Sequence, residues 1–232
     1  MLDALQITRL HDDATLRWHR NGPSANRPSA DEARVLIADA AVHATAHAHS
    51  STDLEELVLA LHRANYDLWH EEDKARDPDA TNTDIASFKR AIDTTNQARN
   101  DLMEALDKLL LAAAGQQNQT APLHSESPGL ILDRLSILAL KLYHTAEESR
   151  RASASGEHRQ RNIERLQLLE EQREDLAACL NTLWTEVLSG KRRFKLYRQL
   201  KMYNDPDLNP AVYSHKAEAH AHKAEAQAGK PS

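Results

Sequence analysis

Apolar residues recur at helical spacing along most of the chain. Leu54, Leu57, Val58, Leu61 and Leu68 fall on one face, because each residue of a helix advances by about 100°. The same three- and four-residue spacing returns in later segments. The pattern predicts an all-α protein, a single helical bundle of about five to six helices, with helices over residues 29–49, 53–76, 83–113, 126–152, 157–189 and 191–202.

The predicted helix ends carry residues that commonly begin or end helices. Asp53 is a candidate N-cap, and Thr83 or Asp84 can cap the third helix. The second helix should stop before Pro78, because a residue that precedes proline is disfavoured in helical geometry. Gly190 should end the fifth helix.

Composition divides the chain into three parts. Gly22, Pro23 and Pro28 break the pattern early, so residues 1–30 are predicted to be an N-terminal arm and linker. Residues 31–210 form the predicted helical bundle domain. The remainder, 211–232, repeats alanine, histidine and lysine and has no large apolar residue after Tyr213, which is typical of a mobile tail.

Bulk properties narrow the classes of protein. The 232 residues are 41% hydrophobic and 28% charged, with a net charge of −6, so no general attraction to nucleic acids is expected. The only cysteine, Cys179, cannot form an internal disulfide. We find no run of apolar residues long enough for a membrane span and no signal peptide, and therefore expect a cytoplasmic protein.

Several charged residues fall on faces that should be buried. Glu72 continues the apolar stripe of the second helix, Arg99 lies within that of the third, and Arg173 interrupts the leucine seam of the fifth. The fourth helix is apolar on most of its circumference but carries Asp133 and Lys141 on one side. The bundle should therefore have a polar interior.

Two interpretations of these inward charges stay open. A buried charge costs several kcal/mol unless it is paired and hydrogen-bonded. Glu72, Arg99, Asp133 and Arg173 should therefore either neutralise one another in a structural salt-bridge network or surround a ligand between the helices. In the second case, the candidate catalytic residues are Glu72, Asp93 and Asp133. The candidate ligand-binding residues are His62, Asn65, Arg76, Asn96, Arg99, Arg134, Lys141, Arg173, Arg193, Lys195 and Lys201.

The last predicted helix is basic and aromatic. Arg193, Lys195 and Lys201 interleave with Phe194 and Tyr197, a pattern suited to phosphate contacts and ring stacking. An anionic small molecule is the expected ligand. The alternative is that the aromatic rings and the aliphatic parts of the basic side chains only dock this helix.

No spacing indicates a specific metal site. Facing Glu-x-x-His pairs, the mark of a helical di-metal bundle, do not occur. Asp101 and Glu104, three residues apart, can hold a magnesium ion against phosphates, but such spacing is frequent on acidic helices. The histidine-rich tail favours adventitious metal binding at the surface.

Four strings together are specific: LHRANYDLWHEEDKAR at 61–76, KRAID and NQARND at 89–93 and 96–101, ESPG and DRLSILALK at 126–129 and 133–141, and KMYNDP at 201–206. Over residues 1–210 the chain resembles a bacterial all-helical family catalogued as domain of unknown function 4254. The resemblance implies a helical protein, and such proteins are often encoded near glycosyltransferases for surface polysaccharides. It supplies no catalytic residues.

Three functions follow as hypotheses. The first is a pocket that binds or processes a phosphorylated small molecule or nucleotide-sugar in surface-glycan assembly. The second is a non-catalytic adaptor, which partners a glycosyltransferase or associates with itself. The third is RNA binding by residues 191–203.

Overall fold

The computed structural model describes residues 2–21, 51–198 and 208–210. Five helices lie within this part of the chain: α1 (Ala4–Asn21), α2 (Ser51–Ala75), α3 (Asn82–Ala114), α4 (Pro128–Arg150) and α5 (Gly156–Leu188). They belong to one compact unit, Met1–Tyr197. The predicted all-α class is confirmed. The helix expected over 29–49, Lys201 and the tail at 211–232 lie outside the described residues.

Helix α4 is central, because it packs against each of the other four helices. Its side chains Ile131, Leu132 and Leu135 are at most 1% exposed. The α2–α3 pair packs on it from one side and α5 runs along it. Within the described part of the chain, no helix has the length and apolar character that crossing a membrane requires.

Helix α1 contributes to the same hydrophobic core. Leu2, Ala4 and Ile7 are buried there together with residues of α2 to α5. The helix packs against α2, α4 and α5. Its polar residues His11 and Thr15 are each 1% exposed, so α1 also brings polar groups into the interior.

The start of α3 has a reciprocal cap. Thr81 is the N-cap: its side chain accepts a hydrogen bond from the backbone N–H of Asp84, and the carboxylate of Asp84 accepts one from the backbone N–H of Thr81. This capping box satisfies two backbone donors at the helix end. The helix therefore begins slightly before the predicted caps Thr83 or Asp84, and Asp84 acts from inside the first turn.

The start of α4 is held from a different helix. The N-cap residue Ser127 makes no side-chain capping bond. Instead, Asp107 of α3, only 3% exposed, accepts a 2.7 Å hydrogen bond from the backbone N–H of Gly129. A carboxylate at a helix N-terminus pairs with a free backbone donor and with the positive end of the helix dipole.

The predicted helix at 191–202 is wrong over its described part. Helix α5 ends at Leu188, and Gly190 follows two residues later with a φ of 71°. Residues 191–198 form no helix and are called the extended segment below. The backbone of Arg193 pairs with Pro122 and His124, and Phe194, 1% exposed, exchanges two hydrogen bonds with the side chain of Gln117. Pairing with the 117–124 segment therefore replaces helical hydrogen bonds here.

Gly129 provides the sharpest test of how α4 approaches α3. A Cβ at this position would lie 2.6 Å from the carbonyl oxygen of Met103 and 2.8 Å from Oδ1 of Asp107. Because backbone and a buried carboxylate must move to admit it, Gly129→Ala should lower the free energy of unfolding by about 1–3 kcal/mol. Urea denaturation measures the loss.

Gly156→Ala is the matched control. Gly156 also lies at the start of a helix, but a Cβ there has no heavy atom within 4 Å. Its free energy of unfolding should stay the same or rise slightly. Equal losses in both variants would contradict the close approach of α4 to α3.

Candidate functional site

The buried charge of α4 is neutralised by the inward charge of α3. Nε of Arg99 donates to Oδ1 of Asp133 at 2.7 Å, and Nη2 donates to Oδ2 at 2.5 Å. The Asp133 side chain is 7% exposed and that of Arg99 is 24% exposed. The arginine therefore covers the carboxylate and keeps one edge of its guanidinium towards the outside.

A chain of hydrogen bonds continues inward from Asp133. Nδ2 of Asn65 donates to Oδ1 of Asp133 at 2.9 Å and to Oγ of Ser136 at 3.0 Å. The ring nitrogens of His62 lie 2.8 Å from Oγ of Ser136 and 2.8 Å from Oγ1 of Thr15. The buried polar chain thus joins α3, α4, α2 and α1.

The directions of these bonds follow from the donors. The hydroxyl of Thr15 already donates to the carbonyl of His11, so Thr15 accepts from Nε2–H of His62. In the neutral imidazole with its proton on Nε2, Nδ1 of His62 accepts from the Ser136 hydroxyl, whose oxygen accepts from Asn65. This direction requires a neutral imidazole, and burial lowers the pKa of His62 to about 3.

A cavity of about 410 Å³ opens above Arg99, between α2, α3 and α4. Its walls bring together five of the residues predicted from helical phase and spacing. The full lining is Asn65, Leu68, Trp69, Glu72, Asp73, Arg76, Asn96, Arg99, Ile137 and Leu140. The three helices therefore surround an open cavity, and Arg99, which is paired with Asp133, forms part of its wall.

Glu72 and Arg76 form the outer side of this cavity. Nη1 of Arg76 lies 2.6 Å from Oε2 of Glu72, and the two side chains are 68% and 44% exposed. Glu72 lies at the end of the apolar stripe of α2, beyond the last buried turn. Its charge is therefore solvated rather than buried, unlike that of Asp133.

Arg173 does not join the other inward charges. Its Nη1 donates to both carboxylate oxygens of Asp12, at 2.8 and 2.9 Å. The pair connects α5 to α1 and borders a separate cavity of about 330 Å³. Glu72, Arg99, Asp133 and Arg173 therefore belong to three separate ion pairs and not to one network. Arg173 and Glu72 each pair with a residue outside this set of four.

The remaining predicted site residues lie away from the Arg99 cavity. Asp93 pairs with Lys89 on α3, and Arg134 pairs with Glu126. Arg193 lies in the extended segment, where its Nε donates to the carbonyl of Ala121. Lys141 and Lys195 are exposed, and neither borders the cavity.

Helical phase alone did not predict the two hydroxyl groups of the buried polar chain, those of Ser136 and Thr15. Ser136 lies among the apolar residues of the central helix, and Thr15 belongs to a segment predicted to be an arm. The available signal was the cost of burying His62, which demands a partner for each ring nitrogen. A buried serine or threonine on a facing helix is the simplest such partner.

A family model matches residues 55–196, more than half of the chain, and its description reads protein of unknown function (DUF4254). The chain belongs to this family. The DUF4254 match begins in the first turns of α2 and runs through α5 into the extended segment, and α1 precedes it. Comparison with curated proteins and with solved structures gives no significant match.

Chemically, this DUF4254 site offers fixed donors and solvated carboxylates. Asp133 has its oxygens occupied by Arg99 and Asn65, so it orients the arginine and is unsuited to accept a proton from a ligand. Of the three predicted catalytic carboxylates, only Glu72 borders the cavity. The neighbouring Asp73 is a fourth carboxylate, which sequence reasoning missed.

The ion pairs Arg99–Asp133 and Arg173–Asp12 differ in how far their carboxylates are buried, and this difference leads to a prediction. Arg99→Met leaves Asp133 buried without its cation, which should cost about 3–5 kcal/mol of unfolding free energy. Arg173→Met leaves Asp12, whose side chain is 42% exposed, and should cost about 1 kcal/mol or less. Urea denaturation of both variants tests the difference, and similar losses would contradict it.

The buried imidazole gives a pH prediction. The folded protein holds His62 neutral, whereas the unfolded chain protonates it below about pH 6.5. Because only the unfolded chain takes up this proton, the free energy of unfolding falls as the pH is lowered from 7, by about 2 kcal/mol at pH 5. His62→Gln should reduce the difference in unfolding free energy between pH 7 and pH 5 by that amount.

An unchanged pH dependence in His62→Gln would contradict the neutral imidazole. The comparison of wild type with variant removes the contributions of titrating groups that do not contact His62, since both proteins share them.

Proposed function

We propose that this DUF4254 protein binds a phosphorylated small molecule that contains a ring, such as a nucleotide or nucleotide-sugar, in the Arg99 cavity. The observation that carries the proposal is the fixed guanidinium. Asp133 holds Nε and Nη2 of Arg99, while Nη1 has a neighbour only at 3.5 Å, Oδ1 of Asn96, among the described residues. Nη1 is therefore a preoriented donor for an anionic oxygen.

Arg76 supplies a second cation, and a ligand can replace its present partner, Glu72. Its pairing with Glu72 is solvent-exposed, and such pairs contribute only about 0–1 kcal/mol. A phosphate group can therefore displace Glu72 from Arg76 at small cost. The buried pair of Arg99 and Asp133 stays intact meanwhile.

The apolar part of the wall suits a ring. Trp69 borders the cavity together with Leu68, Ile137 and Leu140. A base or sugar ring can stack on an indole, and base stacking on an aromatic residue contributes about 1–3 kcal/mol. The volume of about 410 Å³ is within the usual range for small-molecule sites.

The carboxylates of the rim are candidates for chemistry or for magnesium. Glu72 and Asp73 are adjacent in sequence and both border the cavity. Carboxylates beside a bound phosphate are the usual protein ligands of Mg²⁺ in nucleotide sites. In this proposal, Glu72 takes the acid/base or magnesium role.

A thermal-shift series tests the proposal. Full-length protein in EDTA is screened with inorganic phosphate, nucleoside mono- and diphosphates and nucleotide-sugars, and then again with Mg²⁺. A ligand that binds the folded state raises the melting temperature with its concentration. Arg76→Gln should weaken the response at least about 5-fold in apparent Kd, because it removes one cation and leaves the buried pair intact.

Arg161→Gln is the matched control. Arg161 pairs with Glu157 one turn earlier on α5, as Arg76 does with Glu72 on α2, and it is 56% exposed. The control should keep the full response. Equal loss in both variants, or no response to any compound, would overturn ligand binding at this cavity and favour the adaptor function.

A further inference from the structure

Three histidines from three helices converge beside the Arg99 cavity. His19 of α1, His70 of α2 and His144 of α4 each offer a ring nitrogen, and these three atoms lie within 4.8 Å of one another. Of the described residues, this is the only such group with metal-ligand chemistry. We refer to it as the histidine cluster.

The second ring nitrogen of each histidine already has an acceptor. Nδ1 of His19 lies 2.8 Å from the carbonyl of Thr15, and Nδ1 of His70 lies 2.9 Å from that of Tyr66. Nδ1 of His144 lies 3.3 Å from Oε2 of Glu147. In metal sites, a ligating histidine almost always donates its other N–H to a carbonyl or carboxylate, which fixes the tautomer.

Two of the Nε2 atoms in the histidine cluster lack partners. Nε2 of His19 and Nε2 of His144 are both buried and make no hydrogen bond in the described part of the protein. Once Nδ1 carries the proton, Nε2 carries a lone pair and can only accept. Lone pairs on neighbouring rings cannot satisfy one another, so they need a donor or a cation between them, and a metal ion can bind all three ring nitrogens at once.

The rings are also held in place. Trp69 stacks on His144 with ring centroids 4.8 Å apart and 9° between planes, and Tyr143 stacks on His19 at 4.1 Å. Tyr66 lies 4.2 Å from the ring of His70. These ring contacts prevent large rotations of the imidazoles.

We propose that His19, His70 and His144 form a zinc site that leaves a fourth coordination position open. Three imidazole ligands in tetrahedral geometry are typical of Zn²⁺, with Zn–N distances of about 2.0–2.1 Å. Ligand atoms would then lie about 3.4 Å apart, which small side-chain rotations achieve from the present spacing. In this proposal, the ion and one further ligand enter along the side of His144, whose side chain is 24% exposed, and reach the buried Nε2 atoms from there.

The chemical environment agrees with a cation. Glu147 compensates part of the charge through His144. Three neutral ligands leave the ion its full charge, which polarises a water or substrate oxygen in the fourth position.

The test uses zinc itself as the probe. Because the tail histidines can bind zinc on their own, the background is full-length protein with His215→Asn, His220→Asn and His222→Asn. After removal of metal with a chelator, isothermal titration calorimetry should give one Zn²⁺ per chain. His70→Gln and His144→Gln should each weaken binding at least about 100-fold, which is more than the 10–100-fold typical of lost supporting groups.

Two further variants separate ligation from a merely structural role. Glu147→Gln keeps the three ligands and should weaken zinc binding about 10-fold without changing the stoichiometry. His158→Gln is the control, since His158 also pairs with a glutamate, Glu148 at 2.7 Å, but lies outside the cluster. It should bind zinc as the background does.

Cobalt substitution keeps the proposal testable if a variant fails to fold. Co²⁺ in the folded background should show the intense visible bands of a four-coordinate site. A weak six-coordinate spectrum, zinc binding that disappears with the tail histidines, or an unchanged isotherm in His70→Gln would each overturn the zinc site. Because the nucleotide screen includes an arm in EDTA, failure of one proposal leaves the other intact.

Discussion

The bidentate pair between Arg99 and Asp133 determines much of the interior. A buried carboxylate must be neutralised and its lone pairs filled, and Arg99 and Asn65 together do both. That requirement fixes the rotation of α2 and α3 relative to α4. The bonds that continue through Ser136 and His62 extend the same constraint to α1, so one polar chain aligns four helices.

Hydrophobic periodicity predicted most of the fold, for a clear physical reason. Long amphipathic helices with strong end signals leave little freedom, and Asn65 and Arg99 could be placed inward because their phase matches neighbouring leucines. The phase of a residue gives its direction but not its partner. Arg173 therefore pointed inward as expected and met Asp12 of α1, whose docking the sequence pattern does not indicate.

Positions decided by tertiary pairing were beyond sequence reasoning. The 191–198 segment has apolar residues at helical spacing, yet Phe194 and Arg193 pair with the 117–124 segment and lie extended. The histidine cluster illustrates the same limit. Its members lie on three helices with no local motif, so only the packed bundle brings their ring nitrogens together.

Trp69 contacts both proposed sites, since its indole borders the Arg99 cavity and stacks on His144 of the histidine cluster. A ligand that shifts this ring changes the environment of the imidazole behind it. Thermodynamic linkage then requires reciprocity: whatever factor one occupant imposes on the affinity of the other is returned in full. A single tryptophan thus makes the two proposed sites parts of one binding equilibrium.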